Sequence, residues 1–447
     1  MKLIPRFIHR RIAHRPSLVK IVDNIGWLFF DKILRMGVGL IVGVWVARYL
    51  GPEQFGLLSF ATAFVGLFGA IAGLGLHSIV VRDIVRDPDG KEATLGTAAV
   101  LQFFGGLLAY ALILVVIFWL RPDDTLAKFL VAILGSVMLF KASEVAVCWF
   151  ESQVLSKYTV WVQNGTFLVF AAIKVVLILQ NAPLLAFAWA IMAQALIVAV
   201  LMLVMLGLRG PRLRQLRVTL ARVKGLLADS WPLMLSGMVL MVQARIDQIM
   251  LGQMVGDVEV GYYSAALRII EAAAVSAMIL HSTFLPSIIA AKKISEKDYL
   301  IKLEAFYKLN ALVAITIALP LAIFSPWIIK TLFGEAYAPA ALIMSLMTLR
   351  IFLAHIGVPR GIYLLNENLL KYSAATMILG TILNIVLNYY LIPMYLGIGA
   401  TIASLISFFV TIFTVDWFYS KTKTNARLII KSILTCGSIL RKKSWAL

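Results

Sequence analysis

Long apolar runs, separated by short polar connections, make up most of the chain between residues 24 and 418. A transmembrane helix needs about 20 consecutive apolar residues. The runs reach that length without the alternation of polar and apolar positions that marks a barrel strand. The pattern therefore predicts an all-α polytopic membrane protein with twelve transmembrane helices. The predicted spans are 24–49, 55–81, 95–119, 126–149, 159–180, 184–208, 229–251, 261–291, 303–324, 340–358, 373–391 and 398–418.

A helix–turn–helix pattern occurs once in each half of the chain. In the second half an apolar run stops at Gly252, turns through the acidic residues 257–259 and restarts at Gly261. In the first half Gly51 ends one run and Gly56 begins the next, 205 residues before Gly261. A glycine just past a helix end supplies a left-handed cap. The pattern predicts that spans one and seven are equivalent.

The connections differ in charge on the two sides of the predicted membrane. On one side they are short and acidic, with Glu53, Asp123, Asp124, Asp257, Glu259 and Glu335. On the other side they are basic, including 209–224, 292–302 and the tail from Lys421 to Lys443. Because an excess of Lys and Arg stays in the cytoplasm, we expect both termini to be cytoplasmic.

The basic connection 209–228 divides the predicted spans into six and six. Six spans return the chain to its starting side, so the second half enters with the orientation of the first and the halves are predicted to be parallel repeats. The predicted regions are a basic N-terminal tail 1–23, an N-lobe 24–208, the linker 209–228, a C-lobe 229–418 and a basic C-terminal tail 419–447. Within that tail, 426–440 is predicted to be an interfacial amphipathic helix, with an extra span as the alternative.

The composition agrees with a membrane protein. Of the 447 residues, 61% are hydrophobic and 14% are charged, against roughly 25% charged residues in soluble domains. The net charge of +19 lies mainly in the basic connections, so we expect membrane lipids rather than nucleic acid as partners. Two cysteines do not make a disulfide framework, and no phosphate-binding loop of the Walker type occurs.

Charged residues inside the predicted spans are the candidates for function, because burying a charge at mid-membrane costs from about 3 to more than 10 kcal/mol. The alternative interpretation is structural pairing, as Asp31 with Arg35 at i,i+4, and Lys141 with Glu144 or Arg268 with Glu271 at i,i+3, would allow. Basic residues outnumber acidic ones in the spans, which suits an anionic substrate. The basic candidates for substrate binding are Lys32, Arg35, Lys174, Arg245, Arg268 and Arg350.

Several segments resemble Wzx-type polysaccharide flippases, which belong to one superfamily with the MATE exporters and the lipid II flippases. In the first half these are ARYLGPEQFGLLSFATAF at 47–64 and GLGLHSIVVRDIVRD at 73–87. In the second half they are IDQIMLGQMVGDVEVGYYSAALRIIE at 246–271, LFGEAYAPAALIMSLM at 332–347 and ILNIVLNYYLIPMYLGIGATIASLIS at 382–407. Their order and spacing cover nearly the whole chain. The first span does not match the denser arginine pattern of the lipid II branch, which favours the O-antigen or exopolysaccharide branch.

The resemblance implies a two-lobed, V-shaped bundle of the MATE type in the bacterial inner membrane. It implies a flippase, not an enzyme, that moves undecaprenyl-diphosphate carrying an oligosaccharide repeat unit to the periplasmic leaflet. The six basic candidates would then hold the diphosphate, since Arg suits bidentate phosphate contacts. The polysaccharide polymerase and the chain-length regulator are the expected protein partners, and no cofactor is expected.

Two other functions stay open from the sequence. A MATE-like exporter of cationic drugs would need acidic residues in its lumen, whereas the observed excess is basic. A membrane-embedded polysaccharide polymerase or glycosyltransferase would more naturally have a large periplasmic loop, whereas the longest such connection is about 325–339.

Net transport needs a driving force, and a carboxylate inside the bilayer is the natural acceptor of H⁺ or Na⁺. Asp31 and Asp247 lie in spans one and seven, each with a basic residue nearby, Arg35 and Arg245. We therefore predict that Asp31 and Asp247 are ion-coupling residues. The alternative is that each forms a permanent structural ion pair.

Overall fold

The computed structural model describes residues 16–440, and this part of the chain consists of helices and their connections, without a strand. The predicted all-α fold is confirmed. The helices are α1 (Pro16–Leu67), α2 (Gly69–Gly73), α3 (Leu76–Arg86), α4 (Lys91–Leu120), α5 (Thr125–Gly135), α6 (Glu144–Ser152), α7 (Ser156–Leu179), α8 (Leu184–Arg209), α9 (Leu220–Met254), α10 (Asp257–Ile294), α11 (Glu296–Ile323), α12 (Ser325–Phe333), α13 (Ala340–Asn366), α14 (Leu370–Phe409), α15 (Val415–Phe418) and α16 (Lys423–Leu434).

Ten helical segments within residues 16–440 are long and apolar enough to cross a membrane. Two of them are too long for one crossing: Gly26–Arg86 has 61 residues and Leu370–Phe418 has 49. At 1.5 Å per residue they would extend about 90 and 70 Å, against about 30 Å of hydrocarbon. The long helix of each, α1 or α14, is interrupted at one non-helical residue, Gly51 or Leu396, and each segment covers two predicted spans. The ten segments thus account for the twelve predicted spans.

Glycine in the left-handed region breaks the helix at equivalent places in the two halves. Gly51 has φ 71° and ψ 173°, and Pro52 follows as the first residue of the next helical stretch, where its missing N–H costs nothing. Its equivalent is Gly256, with φ 125° and ψ 174°, 205 residues later. The prediction that Gly252 ends the helix was wrong, since α9 continues to Met254. The expected loop 257–259 is instead the first turn of α10, where carboxylates favour the positive end of the helix dipole.

The described chain forms two compact units. The first contains the chain up to Tyr49 and Phe60–Met241, and the second contains Leu50–Ser59 and the described chain from Val242 onwards. The predicted linker 209–228 is therefore part of the first unit, as a short 3₁₀ turn and the start of α9. The lobe boundaries given by the sequence concern membrane topology and stay a prediction.

Short contacts between the two helix–turn–helix elements lie inside the second unit. A Cβ atom on Gly56 would overlap the carbonyl oxygen of Asp257, and one on Gly261 would overlap that of Pro52. Asp257 lies 205 residues after Pro52, as Gly261 does after Gly56. The two contacts are therefore the same contact made from each side, which is what a repeat packed about a twofold axis produces.

The fourth predicted span, 126–149, is not a continuous α-helix. It runs through α5, a 3₁₀ segment Ser136–Ser143, and α6. At the 3₁₀ segment, the backbone of Met138 approaches Gly106 of α4 too closely for any Cβ atom. Long 3₁₀ stretches within helices are uncommon and often mark hinges.

The two termini differ from the predicted tails. Helix α1 begins at Pro16, so 16–23 is helical, and residues 1–15 and 441–447 of the predicted tails lie outside the described residues. The amphipathic segment predicted at 426–440 is α16 followed by a 3₁₀ turn, Cys436–Leu440. With 12 residues, α16 extends about 18 Å and is too short to be an extra span. It packs on α11, where Lys431 pairs with Glu304 at 2.8 Å.

Candidate functional site

In the first unit, Arg35 is the centre of a polar cluster. Its Nε donates to Asp31 Oδ1 at 2.8 Å and to Asn164 Oδ1 at 3.0 Å, and one Nη donates to Gln163 Oε1 at 2.8 Å. Its guanidinium also lies 5.9 Å from the ring centroid of Phe167. The predicted i,i+4 pairing of Asp31 with Arg35 is confirmed. Span five supplies the two amide partners, which the sequence did not single out.

Arg35 also lines a cavity of about 290 Å³ together with Gln163, Lys174 and Gln194. Two of the six predicted basic residues, Arg35 and Lys174, are thus brought to one cavity. Lys32 is exposed on α1, three residues before Arg35. The remaining lining is aliphatic, so the cationic groups and amides are the features that a polar ligand would contact.

In the second unit, Arg245 pairs with Glu271, with Nη1 3.5 Å from Oε1. The expectation that Arg245 neighbours Asp247 was wrong, because residues two apart on a helix point to different faces. The predicted pair of Arg268 with Glu271 is also not formed, since α10 directs Glu271 towards Arg245 of α9. By contrast, the third predicted pair, Lys141 with Glu144 in the first unit, is confirmed at 3.1 Å.

Glu271 and Arg350 share a cavity of about 350 Å³ in the second unit. The guanidinium of Arg350 lies 5.3 Å from the ring centroid of Phe408, which also lines the cavity. Within residues 16–440, no carboxylate lies close enough to Arg350 to form an ion pair. Arg350 and Glu271 therefore bring opposite charges to one cavity without pairing with each other.

Arg268 lies apart from that cavity and packs on an aromatic group. Its Cζ is 5.3 Å from the ring centroid of Phe55, in the segment that the second unit takes from the first half of the chain. Phe55 in turn contacts Tyr337, with ring centroids 6.3 Å apart. Burial raises the pKa of Tyr337 above its usual value, so its hydroxyl stays neutral. Arg268 thus packs on the face of Phe55, an attraction that adds about 0.5–2 kcal/mol.

Asp247 is buried, with 3% of its surface exposed, and accepts hydrogen bonds from four neutral side chains. Asn384 and Asn388 donate to Oδ1 at 3.1 and 2.7 Å, and Tyr263 and Ser404 donate to Oδ2, Tyr263 at 2.6 Å. These partners come from α10 and from both parts of the broken helix α14. Buried carboxylates need such partners, and any added cation or proton at Asp247 must rearrange them.

The asparagines around Asp247 were not predicted as site residues. Their signal is in the sequence, because two asparagines four residues apart interrupt an otherwise apolar run, LNIVLN at 383–388. An i,i+4 spacing places them on one helix face. Ser404 carried no comparable signal, since single serines are common in packed transmembrane helices.

The two cavities are suited to bind an anion rather than to perform covalent chemistry. Arginine presents a planar set of donors to phosphate or carboxylate oxygens, and Arg35 and Arg350 each line one cavity. Within residues 16–440, no group of three or more His, Cys, Asp or Glu side chains is placed to hold a metal ion.

Comparison with known families and structures gives a consistent result. The family model described as "Polysaccharide biosynthesis protein" matches residues 21–289. No curated protein matches the chain in sequence.

Solved structures resemble the fold over nearly its full length. An inward-facing multidrug resistance MATE family transporter of the MOP superfamily has 14% identity and a TM-score of 0.67, covering 92% of this chain and 96% of its own. The lipid II flippase MurJ, in an inward closed conformation, has 12% identity and a TM-score of 0.66, covering 93% and 94%. A MOP superfamily transporter from Pyrococcus furiosus has 13% identity and a TM-score of 0.60, covering 94% and 97%. At these identities the likeness shows the fold.

Proposed function

The chain belongs to the polysaccharide biosynthesis protein family, and on this premise we propose that it is a flippase for undecaprenyl-diphosphate-linked oligosaccharide repeat units. It would move them across the bacterial inner membrane, from the cytoplasmic to the periplasmic leaflet. Family membership is the observation that carries the proposal. The fold, which resembles transporters of the MOP superfamily, supports a carrier rather than an enzyme.

The charge of the cavities supports an anionic substrate. Arg35 and Lys174 line the cavity of the first unit, and Arg350 lines that of the second, beside the pair of Glu271 with Arg245. A diphosphate carries several acceptor oxygens and suits bidentate arginine contacts. An exporter of cationic drugs would face the same guanidinium groups as repulsive charges. In this proposal Arg35 and Lys174, with Lys32 nearby, bind the diphosphate at the cavity of the first unit, and Arg350 and Arg245 bind it at the cavity of the second unit. Arg268 is a further basic candidate of the second unit.

For the driving force we propose exchange of H⁺ or Na⁺ at Asp247, with Asp31 in the corresponding role in the first half. Asp247 is the more buried of the two, and its four donors bridge α9, α10 and α14. A cation that bound there would displace donors such as the asparagine amides and so alter the packing of these helices. Asp31 would exchange Arg35 for a proton or for a substrate phosphate.

The topology follows from the basic connections, so both termini and the connection 209–228 would lie in the cytoplasm. In this arrangement the cytoplasmic side would receive the lipid-linked unit. The periplasmic side would deliver it to the polysaccharide polymerase, whose chain-length regulator is a further expected partner.

The test is the location of the lipid-linked units when the protein is removed from its native host. Accumulation in the cytoplasmic leaflet, out of reach of a membrane-impermeant glycan-labelling reagent, is the expected result. Labelled but unpolymerised units outside would instead indicate a polymerase. Normal polysaccharide together with sensitivity to cationic drugs would indicate a multidrug exporter.

A further inference from the structure

His77 lies between two carboxylates in the first unit. Its Nε2 is 2.8 Å from Glu151 Oε2, and its Nδ1 is 3.3 Å from Glu144 Oε1. His77 is the second residue of α3, and the two glutamates lie at opposite ends of α6. The cluster therefore joins α3 to α6 through one imidazole ring.

The two contacts of His77 can both be attractive only if the cluster carries an extra proton, beyond those of a neutral histidine and two ionised carboxylates. A neutral imidazole has one N–H donor and one acceptor nitrogen, whereas a carboxylate only accepts. With both ring nitrogens facing carboxylate oxygens, one contact would join two acceptors and repel. Both contacts are attractive only if the ring is doubly protonated or if one glutamate holds the proton.

The other groups around His77 do not remove this requirement. Lys141 donates to the second oxygen of Glu144 at 3.1 Å, which leaves Oε1 to His77. The thiol of Cys148 lies 3.6 Å from Nδ1, but an S–H is only a weak donor and would leave Oε1 of Glu144 facing the same unprotonated nitrogen. On α9, Asp229 is engaged by Arg82 of α3. The apolar core around the cluster includes Leu95, Ala98, Val162, Met202 and Leu206 from α4, α7 and α8, and Tyr158 of α7 packs against it.

The cluster is partly exposed, and the helical backbone is interrupted next to both α3 and α6. The side chains of His77, Glu144 and Glu151 are 37%, 27% and 37% exposed, so the cluster is not sealed. Just before α3, Leu74 and Gly75 both have positive φ, 52° and 65°, which separates α3 from α2. Just before α6 is the 3₁₀ segment Ser136–Ser143. Both elements thus begin at a discontinuity of the helical backbone.

We propose that His77, Glu144 and Glu151 form a proton-binding site, separate from Asp247, that clamps α3 to α6 while it holds its extra proton. Loss of the proton turns one of the two contacts repulsive, and Lys141 remains to keep Glu144. His77 then leaves Glu151, so the C-terminal end of α6, where Glu151 lies, separates from α3 while its N-terminal end stays attached. Since the clamped arrangement binds one proton more than the released one, raising the pH disfavours the clamp. In the topology of the proposed function, this site lies towards the cytoplasm.

The distance between α3 and α6 tests the clamp in the full-length protein, without substrate. Spin labels at Val85→Cys and Gln153→Cys, with Cys436→Ser, would be measured by pulsed electron resonance between about pH 5 and about pH 11, because two facing carboxylates favour the doubly protonated ring far above the ordinary histidine range. Val85 and Gln153 are exposed, whereas Cys148 is buried. We expect a single short distance at low pH and a growing longer population as the pH rises. A distance distribution that does not change with pH overturns the proposal.

Glu151→Gln is the decisive variant, because its amide can donate to the acceptor nitrogen of a neutral His77. The cluster is then complete without the extra proton, so the short distance should persist at every pH. His355→Gln is the matched control, since His355 is a span histidine that contacts Ser276 and the Ile351 carbonyl. It should keep the wild-type pH response. If Glu151→Gln responds to pH as the wild type does, the proton is not held here, whatever the outcome of the transport test.

Discussion

Gly56 and Gly261 are equivalent residues of the two halves, and each packs against the backbone of the other's helix–turn–helix element. Gly56 faces the carbonyl of Asp257, and Gly261 faces the carbonyl of Pro52. Backbones that approach this closely leave no room for a side chain, as in other small-residue helix contacts of membrane proteins. The contact therefore depends on glycine at both positions.

Alanine at either glycine should weaken this contact. The added methyl group meets backbone atoms that cannot rotate away, so we expect Gly56→Ala and Gly261→Ala each to lower stability by about 1–3 kcal/mol. Thermal unfolding of the purified protein in detergent measures the effect. Gly66→Ala is the matched control, because Gly66 is helical and a Cβ atom there meets nothing within 4 Å. Equal unfolding temperatures for Gly56→Ala and Gly66→Ala would contradict the close contact.

The sequence was sufficient for the twelve spans because length and hydropathy are local properties. It also located the repeat, since the two copies share an offset of 205 residues. It misplaced the break at Gly252, because any glycine near an apolar run resembles a cap, although the offset of 205 residues leads from Gly51 to Gly256. The sequence pattern could not predict side-chain pairs between helices, because the partners of Arg35 and Asp247 come from distant spans. Likewise, the i,i+3 spacing of Arg268 and Glu271 could not show that Glu271 pairs with Arg245 instead.

The membrane topology can be tested with reporter fusions. Fusions at Arg217, Lys297 and Lys421 should report the cytoplasm, and fusions at Asp124 and Asp257 should report the periplasm, because basic connections are retained inside. Alkaline phosphatase and green fluorescent protein provide opposite readouts. A periplasmic signal at Arg217 would contradict the division into six and six spans.

Neutral substitution of the cavity arginines should reduce transport. Arg350→Gln and Arg35→Gln each remove a charged donor from a cavity, and a charge-assisted hydrogen bond contributes about 1.5–3 kcal/mol, or roughly a 10- to 100-fold loss of substrate affinity. Polysaccharide export and binding of undecaprenyl diphosphate to the purified protein measure the effect. Arg350→Lys should recover part of the binding, because it restores the charge without the planar donor set.

The control for these variants is Lys431→Gln, which removes an exposed partner of Glu304 outside both cavities. It should retain binding and export. If the cavity variants and Lys431→Gln all keep full binding, the diphosphate does not contact Arg35 or Arg350.

The stability of the second unit should depend strongly on the buried pair of Arg360 with Asp416. Arg360 binds both oxygens of Asp416, at 3.0 and 2.8 Å, and Tyr372 and Asn425 also donate to this carboxylate. Removing one partner of a buried pair typically costs about 3–5 kcal/mol. We therefore expect Asp416→Ala to lower the unfolding temperature strongly. The double variant Arg360→Met/Asp416→Leu should lower it less, because it leaves no unpaired charge. A double variant less stable than Asp416→Ala would contradict this account.

Asp247→Asn tests whether this carboxylate couples transport to an ion. The substitution keeps the shape of the side chain but replaces one acceptor oxygen by an NH₂ donor. This donor can face either the amides of Asn384 and Asn388 or the hydroxyls of Tyr263 and Ser404. The hydroxyls can turn to accept, so we expect the amide on their side and a loss of about 1–3 kcal/mol in stability. In proteoliposomes the variant should still bind substrate but should lose the dependence of transport on an H⁺ or Na⁺ gradient.

Ser404→Ala separates coupling from packing at Asp247, because it removes one donor but keeps the carboxylate. If Asp247 only holds α9, α10 and α14 together, both variants should lower stability and leave the gradient dependence unchanged. If Asp247 carries the ion, only Asp247→Asn should abolish that dependence, while Ser404→Ala shifts the ion concentration for half-maximal transport. Transport by Asp247→Asn with the wild-type response to both gradients would place the coupling site elsewhere, with Asp31 the next residue to examine.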